Sequence, residues 1–405
     1  MTLMELTTAT AMRERIAYLF TAYPLWSETF LRQDLSLLQK QGLDICPLSL
    51  FSGNCQPQSD WPDVQILSDS ALPSGGGCCL WQNWKNHLPL WLRGNLALLR
   101  HRHLHDRLRE TLQSIQATHL HAEFAGLGAL LGSATARELG LTFSVGIHAN
   151  DIHCLQYSPA QLFHDTSLVL ACNQSALHAF RQLPSVSAVP SRYIPHGLDL
   201  TRWSWRETLT LNEPRQTRRL LFAGRLVPKK GLDTLLRAMA ILAAQGQDLA
   251  LTVAGDGPQE AAWKRLASDL GLAERVTWRG VLTQPQLQEE LWQSDVFCLP
   301  ARRLSNAEQD GLPNVILEAA AVGIPILASQ AGSLTDFLTA NTGWTQPELT
   351  PETTAVLLSD LLQSPAEADR RRRLARQRLE RDFDAAKLAV LRAEALMAAC
   401  DNTRR

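Results

Sequence analysis

No run of about 18 consecutive apolar residues occurs in this 405-residue sequence, so no segment reads as a membrane-spanning helix. A basic start followed by an unbroken apolar run is also missing. Arg13-Glu14-Arg15 interrupts the Thr/Met/Ala-rich opening, so residues 1–12 read as a loose tail rather than a signal peptide. Cysteine is scattered, at positions 46, 55, 78, 79, 154, 172, 298 and 400. With no Cys-x-x-Cys pair and no Cys/His zinc spacing, these read as reduced thiols of a cytoplasmic protein, and no metal site is expected. Charge of one sign is not in excess. A net charge of −1 exerts no global pull on nucleic acid, and no nucleic-acid partner is expected. The spacing Gly-x-Gly-x-x-Gly is absent after the strand at 16–20 and around Gly128 and Gly132, which disfavours a dinucleotide enzyme.

What is present describes a soluble α/β protein. Apolar residues make up 45% and charged residues 20% of a chain long enough for two domains. Strand 16–20, an amphipathic helix ending at Gly42 and strand 43–48 form a βαβ opening. The alternation resumes with strand 119–122, helix 127–139, strand 142–147, strand 168–172 and a helix to Leu183. A second set begins with strand 220–225 and helix 232–244, then strand 249–254 and helix 259–270. It continues through strand 276–278, helix 286–293, strand 296–299, a helix from Pro313 and strand 324–328. Three helices, 351–363, 366–382 and 384–399, close the chain. The expected architecture is two Rossmann-like domains facing each other across a cleft, with C-terminal helices packing back. Their boundaries fall at 13–198 and 218–380, joined by a polar linker at 199–217, and helix 381–405 crosses back to the first domain.

Four stretches carry candidate chemistry. Asp310-Gly311-Leu312-Pro313-Asn314 opens the helix that contains Glu318. Proline suits the first helical position, and the free N–H groups there suit phosphate. Roughly 8 Å of helix separates Pro313 from Glu318. The stretch is either an anion site between two acids or a plain capping motif with a surface carboxylate. Gly224-Arg225-Leu226-Val227-Pro228-Lys229-Lys230-Gly231 follows a strand and opens a helix. Glycine allows close backbone approach, Arg225 can fork onto phosphate oxygens, and Lys230 adds a point charge. The triphosphate-loop pattern Gly-x4-Gly-Lys-Ser/Thr is absent there, and an exposed basic turn is the simpler alternative. Residues 78–110 mix Trp81, Trp84 and Trp91 with leucine and arginine, either a membrane-surface face or an amphipathic helix pair. Arg370 to Arg373 form a basic run with acids nearby, which reads as a solvated, salt-laced helix face. His148 ends a strand, where a histidine is either structural or catalytic. His101, His103, His105, His119 and His121 fit no metal pattern, and all but His121 read as surface residues.

Gly224-Arg225 with Lys230-Gly231, Val253-Ala254-Gly255-Asp256-Gly257-Pro258, and Asp310-Gly311-Leu312-Pro313 through Glu318-Ala319 occur in order. Together they resemble glycosyltransferase family 4, retaining enzymes of the GT-B fold. Ser27-Glu28-Thr29-Phe30, His121-Ala122-Glu123-Phe124, His148-Ala149-Asn150-Asp151-Ile152 and His196-Gly197-Leu198-Asp199 resemble its exopolysaccharide and colanic-acid-type members. The resemblance covers about 15–345. It implies a retaining transferase that moves a sugar from a UDP- or GDP-linked donor to a saccharide or lipid-linked acceptor. It further implies no cofactor beyond the donor as co-substrate, no metal, and work in the cytoplasm, at the inner face of the membrane where 78–110 touches it. His148, Arg225, Lys230 and Asp310 would be catalytic. Gly224, Arg225, Lys230, Gly280, Gly311, Leu312, Asn314 and Glu318 would bind the donor, with Glu318 on the ribose and the loop after Arg279-Gly280 beside the base. Ser27, Glu28, His121 and Asp151 would lie on the acceptor side. Two departures stand out. The leading acid is Asp310 where Glu is commoner, and Ala331-Gly332-Ser333-Leu334-Thr335-Asp336 replaces a Gly-Gly-x-x-Glu turn. The lone Asp-x-Asp, Asp382-Phe383-Asp384, lies in the C-terminal helices and offers no metal-held diphosphate site. A nucleotide-sugar epimerase of the same fold and a non-catalytic binding subunit are the alternatives.

Overall fold

The computed structural model describes residues 14–25, 29–54, 62–68, 88–213, 216–304 and 311–401. The chain divides into two units. The first comprises Met1–Cys172, Leu177–Ile194 and Leu388–Arg405, and the second comprises Asn173–Ala176 and Pro195–Lys387. Each holds one parallel sheet.

In the first unit, strands β1 (Arg15–Tyr23), β2 (Asp44–Ser52), β3 (Gln65–Ile66), β4 (His119–Glu123), β5 (Thr142–Ile147), β6 (Thr166–Ala171) and β7 (Ser191–Tyr193) form one sheet. Their order is β3-β2-β1-β4-β5-β6-β7. All pairings are parallel, so strand interiors are apolar on both faces, as the nearly unbroken burial of β1 requires. The order reverses between β1 and β4, and such a switch point is where open α/β sheets place ligands. Helices α1 (Thr29–Lys40), α2 (Leu90–Arg100), α3 (Arg102–Ser114) and α4 (Leu127–Leu139) belong to this unit. Tyr18 and Phe20 of β1 and Leu168 and Leu170 of β6 share a core cluster with Leu388, Ala393 and Leu396 of the last helix.

The second unit repeats the scheme with β8 (Arg218–Ala223), β9 (Leu249–Ala254), β10 (Val276–Gly280), β11 (Val296–Leu299), β12 (Ile326–Ser329) and β13 (Trp344–Gln346). The order β10-β9-β8-β11-β12-β13 puts the switch point between β8 and β11. Helices Leu232–Ala244, Glu260–Asp269, Gln284–Gln293, Asn314–Val322, Pro351–Gln363 and Pro365–Asp382 complete it. Thr283 and Thr350 begin two of them with capping boxes.

Three expectations need correction. The stretch 199–217, expected as a polar linker, is not polar throughout, because Trp203, Leu209 and Leu211 bury themselves in the second core and Arg206 is only 4% exposed. The arginine run is more than a solvated face. Arg370 and Arg371 hold Glu367, and Arg373 holds Asp369, as a salt-laced face should. Arg372, however, is buried, and its guanidinium donates to the carbonyls of Arg206 at 2.5 Å and Glu207 at 2.7 Å while lying over Trp205. The helix expected from Pro313 starts one residue later, because Pro313 is extended (ψ 131°) and serves as the cap. Among the described residues no helix is long and apolar enough to cross a membrane.

Candidate functional site

Two groups of side chains sit at strand ends, one in each unit. In the second unit the turn after β8 is built by close backbone contact. The Gly224 N–H donates to Ala254, and the Leu226 N–H donates to Asp256 at 2.6 Å. The Gly255 N–H donates to Gly280 at 2.7 Å, so the ends of β8, β9 and β10 are tied together. Gly255 adopts φ +124°, and a Cβ there would lie 2.0 Å from the Gly224 carbonyl oxygen. Only glycine satisfies both demands. Across the switch point, a Cβ on Gly231 would meet the Pro300 oxygen at 1.9 Å. Arg302, just past β11, forms a two-point ion pair with Asp233 at 2.9 and 3.0 Å.

That scaffold presents charge. Arg225 is exposed, whereas Lys230 is buried in the 3-10 turn Pro228–Lys230, with its stem near Gly224. Gly280 closes β10 beside the ion pair of half-exposed Arg279 with largely buried Glu290. Past β11, a Cβ on Gly311 would meet nothing within 4 Å among the described residues, and Leu312 and Asn314 lead into the helix Asn314–Val322. Its second turn carries Glu318, 8% exposed and without a hydrogen bond or ion pair among the described residues. Burial alone pushes its carboxyl up to about 7. Glu318 is therefore not the surface carboxylate of the capping alternative. Asp310 lies outside the described residues.

In the first unit, the switch-point strands carry a buried polar network. Glu123, at the end of β4, is 1% exposed. Its Oε1 lies 2.8 Å from His148 Nε2, and its Oε2 lies 3.3 Å from His121 Nε2 and accepts from the Tyr18 hydroxyl. Burial opposes charge on Glu123, yet its bonds to His121 and His148 prevail and hold its carboxyl well below the usual range. Burial likewise opposes a charged His148, but Cys172, with Sγ 3.3 Å from Nδ1, and Glu123 raise it well above the usual range. Glu123 stands opposite Gly146 of β5, and a Cβ on Gly146 would lie 2.5 Å from Oε1. Phe124 takes a left-handed backbone (φ 72°), and its ring centroid lies 4.3 Å from that of His148. A bulky residue held there is strained by ~1–3 kcal/mol.

The expected acceptor-side residues separate. His121 is fully buried, and burial lowers its basicity. Asp151 accepts from the His148 N–H at 2.8 Å and braces the strand end. Ser27 and Glu28 lie outside the described residues. His119, expected at the surface, is completely buried between Thr142 and Ser144, and burial lowers it to about 3. Of the stretch 78–110, Trp81 and Trp84 lie outside the described residues. Helix α3 packs through Leu104, Leu108 and Leu112, while α2 exposes Trp91, Leu96 and Leu99. Sequence reasoning missed Glu123, Tyr18, Ser144 and Cys172. The one signal for Glu123 was its i+2 spacing from His121, which puts both on one sheet face.

Residues 203–378 match the family model described as glycosyl transferases group 1. The amylovoran biosynthesis glycosyltransferase AmsK of Erwinia amylovora is 31% identical over 189 residues, 46% of each chain, so this chain spans about half of that relative's length. WcaL of Escherichia coli strain K12, named for a proposed role as a colanic acid biosynthesis glycosyltransferase, is 24% identical over 91% of this chain and 96% of its own. Among solved structures, Anabaena Alr3699/HepE in complex with UDP superposes with a TM-score of 0.73 at 16% identity, covering 95% of this chain and 100% of that one. At that identity the likeness establishes the fold, which is GT-B: two Rossmann-like sheets with helices.

Proposed function

From the match of residues 203–378 to the model described as glycosyl transferases group 1, we propose that the chain is a retaining glycosyltransferase. It moves a sugar from a nucleoside-diphosphate sugar to a hydroxyl of a saccharide or lipid-linked acceptor in polysaccharide or glycolipid biosynthesis. Glu318 carries this reading. A mostly buried carboxyl with no partner among the described residues is costly to keep charged, and two ribose hydroxyls would supply donors to it. Arg225 and Lys230, on the turn after the switch-point strand β8, bind the diphosphate. The names of AmsK and WcaL favour an exopolysaccharide pathway.

The mechanism follows from where charge develops. Cleavage of the bond between the anomeric carbon and the phosphate oxygen leaves both electrons on the diphosphate. Arg225, Lys230 and the N–H groups opening the helix at Asn314 stabilise that charge by preorganisation. The acceptor hydroxyl attacks from the face the diphosphate leaves, and a donor phosphate oxygen takes its proton. His148 serves the same reaction as a catalytic group, and Asp310 contacts the donor sugar. No metal takes part.

Incubation with UDP-glucose or GDP-mannose should release the nucleoside diphosphate, faster with acceptor saccharides, and the product should keep the donor's anomeric configuration. His148→Ala should lower kcat by roughly 100-fold and donor KM little. Inverted product, or activity abolished by EDTA and restored by Mn²⁺, would overturn the mechanism. Release of a free epimerised sugar would make the protein an epimerase, and no donor turnover would make it a binding subunit. The exposed Trp91, Leu96 and Leu99, beside Arg93 and Arg100, support peripheral contact with the inner face of the membrane. Co-sedimentation with anionic liposomes should fall when these three residues become alanine.

A further inference from the structure

A carboxylate only accepts hydrogen bonds, so Glu123 dictates where the protons around it sit. Nε2 of His148, 2.8 Å from Oε1, must carry hydrogen. So must Nε2 of His121, 3.3 Å from Oε2, while the Tyr18 hydroxyl donates to that same oxygen. The constraint then passes back along the sheet. Burial keeps His121 and His119 neutral. Nδ1 of His121 therefore accepts from the Ser144 hydroxyl at 2.7 Å, and Ser144 in turn accepts from Nε2–H of His119 at 2.7 Å. Nδ1 of His119 accepts from the Thr142 hydroxyl at 2.7 Å. Four donors in a row point towards Glu123, each polarising the next.

The surroundings hold the ring against rotation. Gly146 leaves the carboxylate space that a Cβ would fill. Phe124 packs on the imidazole, and Asp151 anchors its backbone N–H. Arg392 and Asp34, paired at 3.6 Å and both buried, also belong to this unit. A mere core histidine would need none of this.

We propose that Glu123 is a positioning residue for His148. It keeps Nε2 protonated and turned inward, and so leaves Nδ1, now 3.3 Å from the Cys172 sulfur, as the ring atom that meets substrate. The Cys172 thiol occupies that atom until a ligand oxygen displaces it. This inference rests on the reading of His148 as a catalytic group.

Glu123→Gln tests it with almost no change in shape. Three donors then face one oxygen and one NH2 group. If the oxygen stays with Tyr18 and His121, the NH2 faces His148 Nε2, which must become an acceptor. Imidazole 15N NMR, with His148 assigned through H148Q, should show a protonated Nε2 in the wild type and an unprotonated Nε2 in E123Q. In assays of nucleoside diphosphate release from UDP-glucose and GDP-mannose, E123Q should lose kcat by roughly tenfold or more, with KM nearly unchanged. E123Q/H148A should be no slower than H148A, since the carboxylate acts through the ring. E123D, which keeps the charge, should recover part of kcat. An unprotonated Nε2 in the wild type, an unchanged His148 in E123Q, or additive losses in the double variant would each overturn the proposal. The wild-type spectrum decides whether Nε2 carries hydrogen even where E123Q does not fold. If the wild type turns over neither sugar nucleotide, the proposed function fails, while the spectra still decide the positioning.

Discussion

If Glu318 holds the ribose as proposed, nucleotide binding is coupled to protons. Its carboxyl sits at about 7 instead of 4.5 because burial disfavours its charge. At about 1.4 kcal/mol per unit, ionising it in the folded chain costs ~3 kcal/mol. The sign follows from linkage. The folded state holds this proton more tightly than the unfolded chain, so the penalty is absent below about 4.5, grows as pH rises, and is complete above about 7. Glu318→Gln should therefore melt several degrees above the wild type at pH 8 and beside it at pH 4.

Binding reverses the preference. Two ribose hydroxyls donating to Glu318 favour the carboxylate, so a free site half-protonated near pH 7 should shed about half a proton per nucleotide bound. Calorimetry of UDP and GDP binding in buffers of different ionisation enthalpy measures that number. The terminal phosphate also sheds protons on binding, so the decisive quantity is the difference between wild type and E318Q, which should vanish by pH 8.5. Affinity of E318Q should fall by about 10- to 100-fold at pH 8, the worth of charge-assisted hydrogen bonds. Equal proton release by the two proteins at pH 7, or a melting difference independent of pH, would refute the assignment of Glu318 to the ribose.

Three further outcomes are expected. Arg225→Ala combined with Lys230→Ala should abolish measurable calorimetric binding of UDP and GDP, while Arg225→Ala alone, at an exposed position, should leave the melting temperature unchanged. Gly255→Ala should lower stability by a few kcal/mol in denaturant titration, since its Cβ collides with Gly224 at 2.0 Å and its φ of +124° is strained for alanine. Arg372→Leu should cost ~3–5 kcal/mol, because the carbonyls of Arg206 and Glu207 lose their buried donor and Asp369 keeps only Arg373; an unchanged unfolding midpoint would show that water replaces the guanidinium.

Residues 127–139, 142–147 and 232–244 were legible as helix, strand and helix because their apolar spacing and flanking glycines are local signals. The positions of the basic turn and Glu318 were legible for a related reason, since each lies within a few residues of a strand end or helix start. His119 and Arg372 were misread through one shared error. Polar side chains are mostly exposed, and that expectation fails only where another segment supplies partners. For His119 the partners are Thr142 and Ser144, on a strand whose register against β4 no single sequence states. For Arg372 they are backbone carbonyls more than 160 residues earlier, in the stretch taken for a linker. The same logic bears on Glu123. A short His-x-Glu pattern is common enough to mean nothing by itself. It gains meaning when Gly146 stands opposite the carboxylate, because deleting one side chain from a packed sheet face is how a fold makes room for another group's charge. The pair Glu123 and Gly146 should therefore respond as a unit: Gly146→Ala should displace the carboxylate and reproduce the changed His148 15N signal of E123Q with Glu123 still in place.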